Sequence, residues 1–393
     1  MRLCPLRELQ PGMMLGKSIF TEKGQLLLRA GFPLDAEVLR RLAATGRTSI
    51  YIYEEGTEEI IPEDIISEEA RSRAAMAYSQ TLERISQAVN VRPDITPEKL
   101  LAMLQRGTGF RNAVDVDHVS AEVTSIVDEI MDSSAEVLNQ ALTKSRTGYN
   151  TEHAVDTALV TLLIGRRLQY SRRDLVELGT GAFLHDLGKT ALPALLGKVP
   201  AELSDDERFL MREHPLFGQQ ILIQSTDRFF MAQTTILHHH ERQDGMGYPL
   251  GLEGRNVKPQ LDHQDTSKCI FPFAEIVHVA DAFDNLISGR GNVTAAPDLA
   301  MREIMRLARS DFNSEVVALL AEVIAVFPAG SMVRIAECST KLLEGTQGAV
   351  MKPNREHPHH PLVVLLRNAN GAKITPKTID LAGESFARLE FIH

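Results

Sequence analysis

The sequence predicts a mainly α protein: a helical bundle flanked by a small α+β module at the N-terminus and a short β-rich tail at the C-terminus. Residues 118–327 repeat apolar residues at helical spacing almost without interruption, as in Leu159, Leu163 and Ile164. Short apolar runs separated by Gly and Pro, typical of strands, lie before residue 62 and after Pro328. With 393 residues, 44% of them hydrophobic, the chain can form two or three domains with a sizeable core.

The N-terminal module is predicted over residues 1–62. Apolar runs at 14–16, 25–28 and 50–52 favour strands, and residues 36–44 favour a helix between the last two runs. The acid-rich stretch 54–64 has the composition of a solvated connector.

A helical connector is predicted over residues 63–117. Tyr78, Leu82 and Ile85 fall on one face of a helix that starts near Ser67. Such a face fits either a helix packed on the same chain or a helix that forms a homodimer. A second helix is expected after Thr96, which is a suitable N-cap residue.

The main helical domain is predicted over residues 118–329 and the β-rich tail over residues 330–393. Proline residues mark breaks between helices in the main domain, because proline cannot continue a helix; they are Pro215, Pro249, Pro259 and Pro272. Apolar runs at 333–335, 348–350 and 362–366 indicate strands in the tail.

Composition argues against two classes of partner. The net charge is −10 with no run of Lys and Arg, so a nucleic acid polymer or an anionic membrane has no basic face to bind. No apolar stretch reaches the roughly 18 residues that span a bilayer. The three cysteines, Cys4, Cys269 and Cys338, form no CxxC pair, which favours a reducing, cytoplasmic location.

Histidine is the residue type that points to chemistry. Eight of the 13 histidines lie between His153 and His278. In residues 181–189, His185, Asp186 and Lys189 follow directly on an apolar run. Burying such groups without partners costs several kcal/mol. Metal coordination removes that cost, because an imidazole nitrogen and a bridging carboxylate are good ligands for divalent ions.

Further segments resemble a known family. His153, His185-Asp186 and Asp281, spread over several helices, resemble the HD phosphohydrolase superfamily. The run HHERQDGMGYP at 239–249 closely resembles the HHE-x-x-DGxGYP signature of HD-GYP proteins, and His214-Pro215 resembles the helix between the two motifs. The resemblance spans roughly residues 145–340 and implies an HD-domain helical bundle.

The resemblance implies a site with two divalent metal ions. One ion is expected on His153, His185, Asp186 and Asp281, and the other on Asp186, His214, His239 and His240. Mixed nitrogen and oxygen ligands with open positions suit iron or manganese better than structural zinc. Two ions about 3.5–4 Å apart can activate a shared water and hold a phosphate for in-line attack.

Three other residues are expected to act on the substrate. Lys189 is expected to stabilise charge on the phosphoryl oxygens, and Arg290 matches a phosphate-contacting arginine of the family. Tyr248 belongs to a Gly-rich loop that either approaches the substrate or only presents the two histidines. Tyr149 stands where members with three ions have Glu, and Val293 replaces a basic residue. Two ions are therefore expected, with one phosphate contact missing.

The resemblance implies hydrolysis of cyclic di-GMP to linear pGpG. A second cleavage to GMP is left open. Two alternatives stay open: another cyclic dinucleotide such as cyclic GMP-AMP as the substrate, or a weakly active sensor of cyclic di-GMP that acts through its flanking modules. Because all seven implied metal ligands are present, the enzyme is favoured over a degenerate receptor.

Overall fold

The N-terminal module is built on a small antiparallel sheet. A computed structural model describes residues 1–20, 26–43, 47–88, 96–106, 113–135, 137–139, 149–196, 198, 200–261, 268–289 and 294–392. The first elements are β1 (Arg2–Pro5), β2 (Met14–Leu15), β3 (Ile19–Phe20), β4 (Leu26–Leu28), α1 (Ala36–Ala43) and β5 (Ser49–Tyr53). One sheet has the order β1-β5-β2, and β3 pairs with β4. Helix α1 buries Val38 and Leu42 in the core of this module.

Residues 54–64, expected as a solvated connector, are instead partly buried. Ile60 is 1% exposed and packs with Val364 and Leu366 of the C-terminal sheet. The acidic side chains of this stretch stay at the surface while Ile60 turns inward. One apolar residue in an acidic run is enough to reverse the expectation, because burying an isoleucine is worth roughly 2 kcal/mol.

The body of the molecule is helical and shares one hydrophobic core that runs from Ile65 to Ile324. Its helices are α2 (Glu68–Ala88), α3 (Pro97–Arg106), α4 (Val116–Asp132), α5 (Tyr149–Arg167), α6 (Arg172–Phe183), α7 (Asp205–Met211), α8 (His214–Ser225), α9 (Phe230–His238), α10 (Pro272–Ser288), α11 (Pro297–Arg306) and α12 (Ser314–Val323). Pro215 and Pro272 stand in the first turns of α8 and α10, where a missing N–H costs little.

Helix α2 belongs to this core. Its Tyr78 ring meets Phe183 of α6 edge to face, with the ring centroids 5.2 Å apart. Arg71 of α2 donates to Asp156 of α5 over 2.6 Å, and Arg73 donates to Glu122 of α4 over 3.0 Å. The alternative in which the apolar face of this helix packs on the same chain therefore describes the structure.

The C-terminal tail is a five-stranded antiparallel sheet. Its strands are β6 (Met332–Cys338), β7 (Gln347–Lys352), β8 (Leu362–Arg367), β9 (Lys373–Asp380) and β10 (Ala387–Phe391), in the order β10-β6-β7-β8-β9. Strands β9 and β10 were not expected. β9 is mostly exposed and carries Lys373, Lys377 and Pro376. An edge strand tolerates this composition, which in sequence resembles a loop.

The two ends of the chain meet. The backbone N–H of Leu3 donates to the carbonyl of Gly330 over 2.8 Å, and the Tyr51 hydroxyl donates to the carbonyl of Ala329 over 3.1 Å. The N-terminal module therefore rests on the C-terminal sheet.

The predicted fold class, mainly α with small sheets at both ends, is confirmed. The boundaries at 62, 117 and 329 remain a proposal. Within the described residues, no helix combines the length and the apolar character needed to cross a membrane.

Candidate metal centre and active site

Five segments of the helical body converge on one buried site. The helices that carry them pack against one another, α5 on α6 and α10, and α9 on α6 and α8. The converging side chains are His153 within α5, His185 and Asp186 just after α6, His214 at the start of α8, His239 and His240 after α9, and Asp281 within α10.

One group consists of His153, His185 and Asp281. The Nε2 atom of His153 lies 3.2 Å from that of His185 and 3.1 Å from Oδ1 of Asp281. The His185 Nε2 atom lies 3.6 Å from the same carboxylate oxygen. Atoms bound to one ion at about 2.1 Å stand roughly 3 Å apart when they are adjacent ligands. These separations therefore fit a single metal ion.

A second group consists of Asp186, His214, His239 and His240, whose potential ligand atoms all lie within 4.8 Å of one another. The Nε2 atoms of His214 and His239 are 3.2 Å apart, and Oδ1 of Asp186 lies 3.3 Å from the Nε2 atom of His214.

Asp186 lies between the two groups. Its Oδ1 atom is 3.6 Å from Nε2 of His185, and its Oδ2 atom is 3.8 Å from Nε2 of His153. One carboxylate can thus serve both groups. The structure brings together all seven side chains that the sequence assigned to two ions.

Hydrogen bonds to backbone carbonyls orient three of these imidazoles. The Nδ1 atoms of His185, His214 and His239 lie 2.7, 2.8 and 2.7 Å from the carbonyl oxygen three residues earlier in the chain. A carbonyl only accepts, so Nδ1 carries the proton and Nε2 carries the lone pair.

The positions of the Nε2 lone pairs indicate whether these residues can hold metal ions. Nε2 lone pairs face each other at 3.2 Å between His214 and His239, next to the carboxylate of Asp186. Such lone pairs repel one another unless a cation lies among them. The donor set therefore fits divalent ions.

Burial and charge keep His239, His240 and Asp186 in the forms that bind metal. Burial, reinforced by the neighbouring imidazoles, holds the pKa values of His239 and His240 well below their usual range. Burial tends to raise the pKa of Asp186, but Lys189 and the adjacent histidines outweigh it and hold that pKa well below its usual range. Neutral imidazoles and ionised carboxylates are the species that coordinate metal.

Asp284 is a buried residue of the site that sequence reasoning did not single out. Its Oδ2 atom lies 2.7 Å from Nδ1 of His153, so it orients the ring in place of a backbone carbonyl. Burial opposes a charged His153, but hydrogen bonds with Asp281 and Asp284 outweigh it and raise the pKa of His153 to about 9. Asp284 follows Asp281 by three residues and lies on the same face of α10, and this spacing could have identified it from the sequence.

Lys189 follows Asp186 on a short 3-10 helix, Leu187–Ala191, and its ammonium pairs with the Asp186 carboxylate. A Cβ atom at Gly188 would lie 1.9 Å from the carbonyl oxygen of His214. Only glycine therefore allows this turn to approach α8 and set Asp186 beside His214.

The loop after His240 is organised by Glu241. Its buried carboxylate accepts hydrogen bonds from the backbone N–H groups of Leu250 and Leu252, over 2.6 and 2.8 Å. The Tyr248 ring lies beside that of His240, with centroids 4.7 Å apart, and the Arg212 guanidinium lies 4.7 Å above the Tyr248 ring. The loop thus presents the histidines and also places the Tyr248 ring between His240 and Arg212, which follows α7.

A buried polar network holds the same loop to α10. Oε1 of Glu275 accepts from Nε2 of Gln243 over 2.6 Å, and Oε2 accepts from Nδ2 of Asn313 over 3.0 Å. Burial, only partly offset by these two bonds, raises the pKa of Glu275 to about 7. Glu275 thus ties three segments together.

A cavity of about 200 Å³ opens beside the second metal group. One side is formed by the turn after Asp186 and the other by helix α2, so α2 reaches the active site. The lining residues are Tyr78, Leu82, Glu83, Ser86, Asp186, Lys189, Thr190 and Leu196.

Some predicted positions lie outside the described residues. Arg290 and Val293 are among them, so the expected phosphate contact and its loss stay predictions. Tyr149 begins α5, but its side chain is not described, and the argument against a third ion also stays a prediction.

Known proteins that resemble this chain include an HD domain family and several phosphodiesterases. The family model described as HD domain matches residues 129–316. The chain is 24% identical to the cyclic di-GMP phosphodiesterase PA4108 of Pseudomonas aeruginosa, over 78% of this chain and 72% of that protein. It is 37% identical to the cyclic di-GMP phosphodiesterase response regulator RpfG of Xanthomonas campestris, over 33% of this chain and 31% of that protein.

A further relative acts on a different dinucleotide. The 3'3'-cGAMP-specific phosphodiesterase 3 of Vibrio cholerae is 27% identical over 47% of this chain and 37% of its own length. The chain therefore spans most of one of these relatives and about a third of the other two. The stretch that matches the HD domain model, residues 129–316, contains all seven converging side chains.

Proposed function

We propose that the chain is a metal-dependent phosphodiesterase of the HD-GYP type that hydrolyses cyclic di-GMP to linear pGpG. The observation that carries the proposal is the pair of ligand groups joined by Asp186, in a chain whose relatives include several cyclic di-GMP phosphodiesterases. Iron or manganese is proposed for both positions, because the ligands are nitrogen and oxygen with no thiolate.

The residues of the chain have separable tasks in this reaction. Bound ions supply positive charge that polarises the phosphodiester and lowers the pKa of a water molecule. Lys189, at the edge of the cavity and next to Asp186, places an ammonium group where charge grows on the phosphoryl oxygens. Arg212 and Tyr248, which lie against each other beside His240, suit the second phosphate and a base, respectively.

Hydrolysis opens one of the two phosphodiester links of the ring. Oxygen from water bonds to phosphorus, the bond from phosphorus to the 3'-oxygen breaks, and the leaving oxygen takes up a proton. The product is the linear dinucleotide with a 5'-phosphate. A second cleavage to GMP is not part of the proposal, because Tyr149 stands where members of the resembled family with three ions have Glu.

The cellular setting completes the proposal. The three cysteines are free, as is usual where thiols stay reduced, and we place the protein in the cytoplasm. Residues 1–62 are proposed as a regulatory module, and a homodimer is retained as one form of the protein.

Metal analysis paired with product chromatography tests the proposal. The protein loaded anaerobically with manganese or ferrous iron is expected to bind two ions per chain and to release pGpG from cyclic di-GMP. His185→Ala and Asp186→Ala should abolish turnover and lower the metal content while the circular dichroism spectrum is unchanged.

His238→Asn is the matched control for this experiment. His238 lies in the same run of histidines, but its Nδ1 atom accepts from the backbone N–H of Phe271 over 3.3 Å. Asparagine can keep that bond, so this variant should keep both ions and its activity. Binding of cyclic di-GMP by the metal-loaded protein without turnover would support the sensor alternative instead.

A cGAMP-specific enzyme is the second candidate, favoured by the relative from Vibrio cholerae. The ratio of kcat/KM for cyclic di-GMP to that for 3'3'-cGAMP distinguishes the two, and a ratio above one is expected.

A further inference from the structure

The cavity beside the metal groups has two unlike walls. Asp186 and Lys189, on the turn after α6, bring one wall to the reacting centre. Helix α2, which lies far from the family motifs in sequence, brings Leu82 and Glu83 to the other wall. Whatever fills the cavity therefore touches α2 and a metal-binding segment together.

Size limits what the cavity can hold. Its volume of about 200 Å³ is below the roughly 300–1,000 Å³ of sites that enclose a whole drug-sized ligand. A cyclic dinucleotide is too large, but one of its bases is not. Leu82 and Leu196 supply apolar surface for the faces of a flat ring, and Leu196 is 38% exposed without such an occupant.

Glu83 supplies a charged group on the α2 side of this cavity, where Ser86 is the other polar lining residue of that part of the helix. Among the described residues, its carboxylate has no hydrogen-bond or ion-pair partner, although Arg71 and Arg73 on the same helix are both paired. A carboxylate near a site for phosphates repels them and weakens binding. Glu83 is exposed, so water solvates its carboxylate, and a substrate that displaces this water must offer hydrogen-bond donors in its place.

Guanine offers two such donors side by side. Its N1–H and its 2-amino group match the two oxygens of a carboxylate in a bidentate pair. Adenine presents an amino group next to the N1 lone pair, so one carboxylate oxygen would face a lone pair. The carboxylate thus selects guanine over adenine.

We propose that this cavity is a guanine subsite and that Glu83 accepts hydrogen bonds from N1–H and the 2-amino group of one base. The inference rests on the proposed function and adds to it the residue that selects the base. With one base held here, the adjoining phosphate is brought to Lys189 and Asp186. The other base extends toward solvent or toward Tyr248.

Kinetics of Glu83→Gln and Glu83→Ala in the full-length, metal-loaded protein test the subsite. We expect KM for cyclic di-GMP to rise about tenfold or more, while kcat changes by less than about threefold, since Glu83 touches neither ion group. Glu69→Gln is the matched control, because Glu69 lies on the same helix with its side chain 83% exposed. It should leave both constants unchanged.

Turnover of bis(p-nitrophenyl) phosphate separates this inference from the proposed function. That substrate has no base, so both Glu83 variants should hydrolyse it as the wild type does. If the wild type hydrolyses neither substrate, the proposed function fails. If the wild type hydrolyses cyclic di-GMP and the Glu83 variants keep its KM within twofold, the guanine subsite is wrong.

The first product from 3'3'-cGAMP gives a second readout that does not depend on a rate. Its single guanine can enter the cavity in one way, so the wild type should cut one of the two links preferentially and release mainly one linear isomer. Glu83→Ala should release both isomers in similar amounts. Equal amounts from the wild type would overturn the proposal.

Discussion

At the scale of single residues, the groups that orient the metal ligands matter as much as the ligands. Three imidazoles are held by carbonyls of their own helical turns, but His153 lies mid-helix, where the carbonyls are already used. A side chain from another helix must then hold its Nδ1 atom, and Asp284 does so at 2.7 Å.

Asp284→Asn tests this orienting role. An amide keeps the size of the side chain but removes its charge, so we expect metal affinity to fall about 10- to 100-fold. Metal content after dialysis against graded chelator measures the change. Asp298→Asn replaces another buried aspartate, paired with Arg302 on α11, and should bind metal like the wild type. Equal metal retention by the two variants would contradict the role of Asp284.

Glu275 should make stability depend on pH. Its pKa of about 7 lies above the value near 4.3 of an unfolded chain, so between these values only the folded state keeps the proton. Stability therefore falls as pH rises through this window, by up to about 4 kcal/mol. Urea unfolding at pH 5 and pH 8 should show a smaller loss for Glu275→Gln than for the wild type. An identical loss in both proteins would argue against the raised pKa.

The sequence predicted the seven proposed ligands because the family motif fixes their order and spacing. It did not predict the neighbours that make them a site. Glu83 precedes the resemblance, and nothing in its own segment places it near His185. Gln243, Glu275 and Asn313 meet only through the packing of α10 against two loops. Contacts of this kind depend on tertiary structure and leave no local pattern.

At the scale of elements, α2 is the helix whose role changed most. Its sequence allowed either a packed helix or a dimer-forming one, and both have the same apolar face. The interior position of the Arg71–Asp156 pair decides for packing, since a buried ion pair requires a fixed partner.

Arg71→Ala should destabilise the protein by about 3 kcal/mol, because it leaves Asp156 buried beside an empty space. Arg73→Ala is the comparison, since the Arg73 side chain is 36% exposed and its pair should contribute at most about 1 kcal/mol. Urea unfolding followed by circular dichroism measures both. Equal losses would mean that α2 is not held by the Arg71 pair.

At the scale of the whole molecule, the two ends of the chain form one structure around the helical body. The sequence predicted the fold class from the change of apolar period at about residues 62 and 328. It did not predict that residues 54–64 pack on the C-terminal sheet. The composition of this stretch shows that it is acidic but does not show which other part of the chain covers it.

Substitutions of Ile60 and of its neighbour Ile61 can be compared to test this packing. Ile60 is 1% exposed and Ile61 is 69% exposed, so the two residues differ in environment but not in chemistry. Ile60→Ala should cost about 3 kcal/mol and Ile61→Ala less than about 0.5 kcal/mol. Chemical denaturation of the full chain gives both values. Similar costs would show that the N-terminal segment is not docked on the sheet.

Helix α2 is continuous with the segment that rests on the C-terminal sheet, and it also forms one wall of the cavity. An occupant of the cavity therefore cross-links two stretches of chain that are distant in sequence. Substrate that binds there would stabilise the folded form of α2 and slow its amide hydrogen exchange. A partner that pulls residues 1–62 away would weaken substrate binding by the same factor by which substrate weakens that partner. The N-terminal module would then control turnover through affinity, without touching a metal ligand.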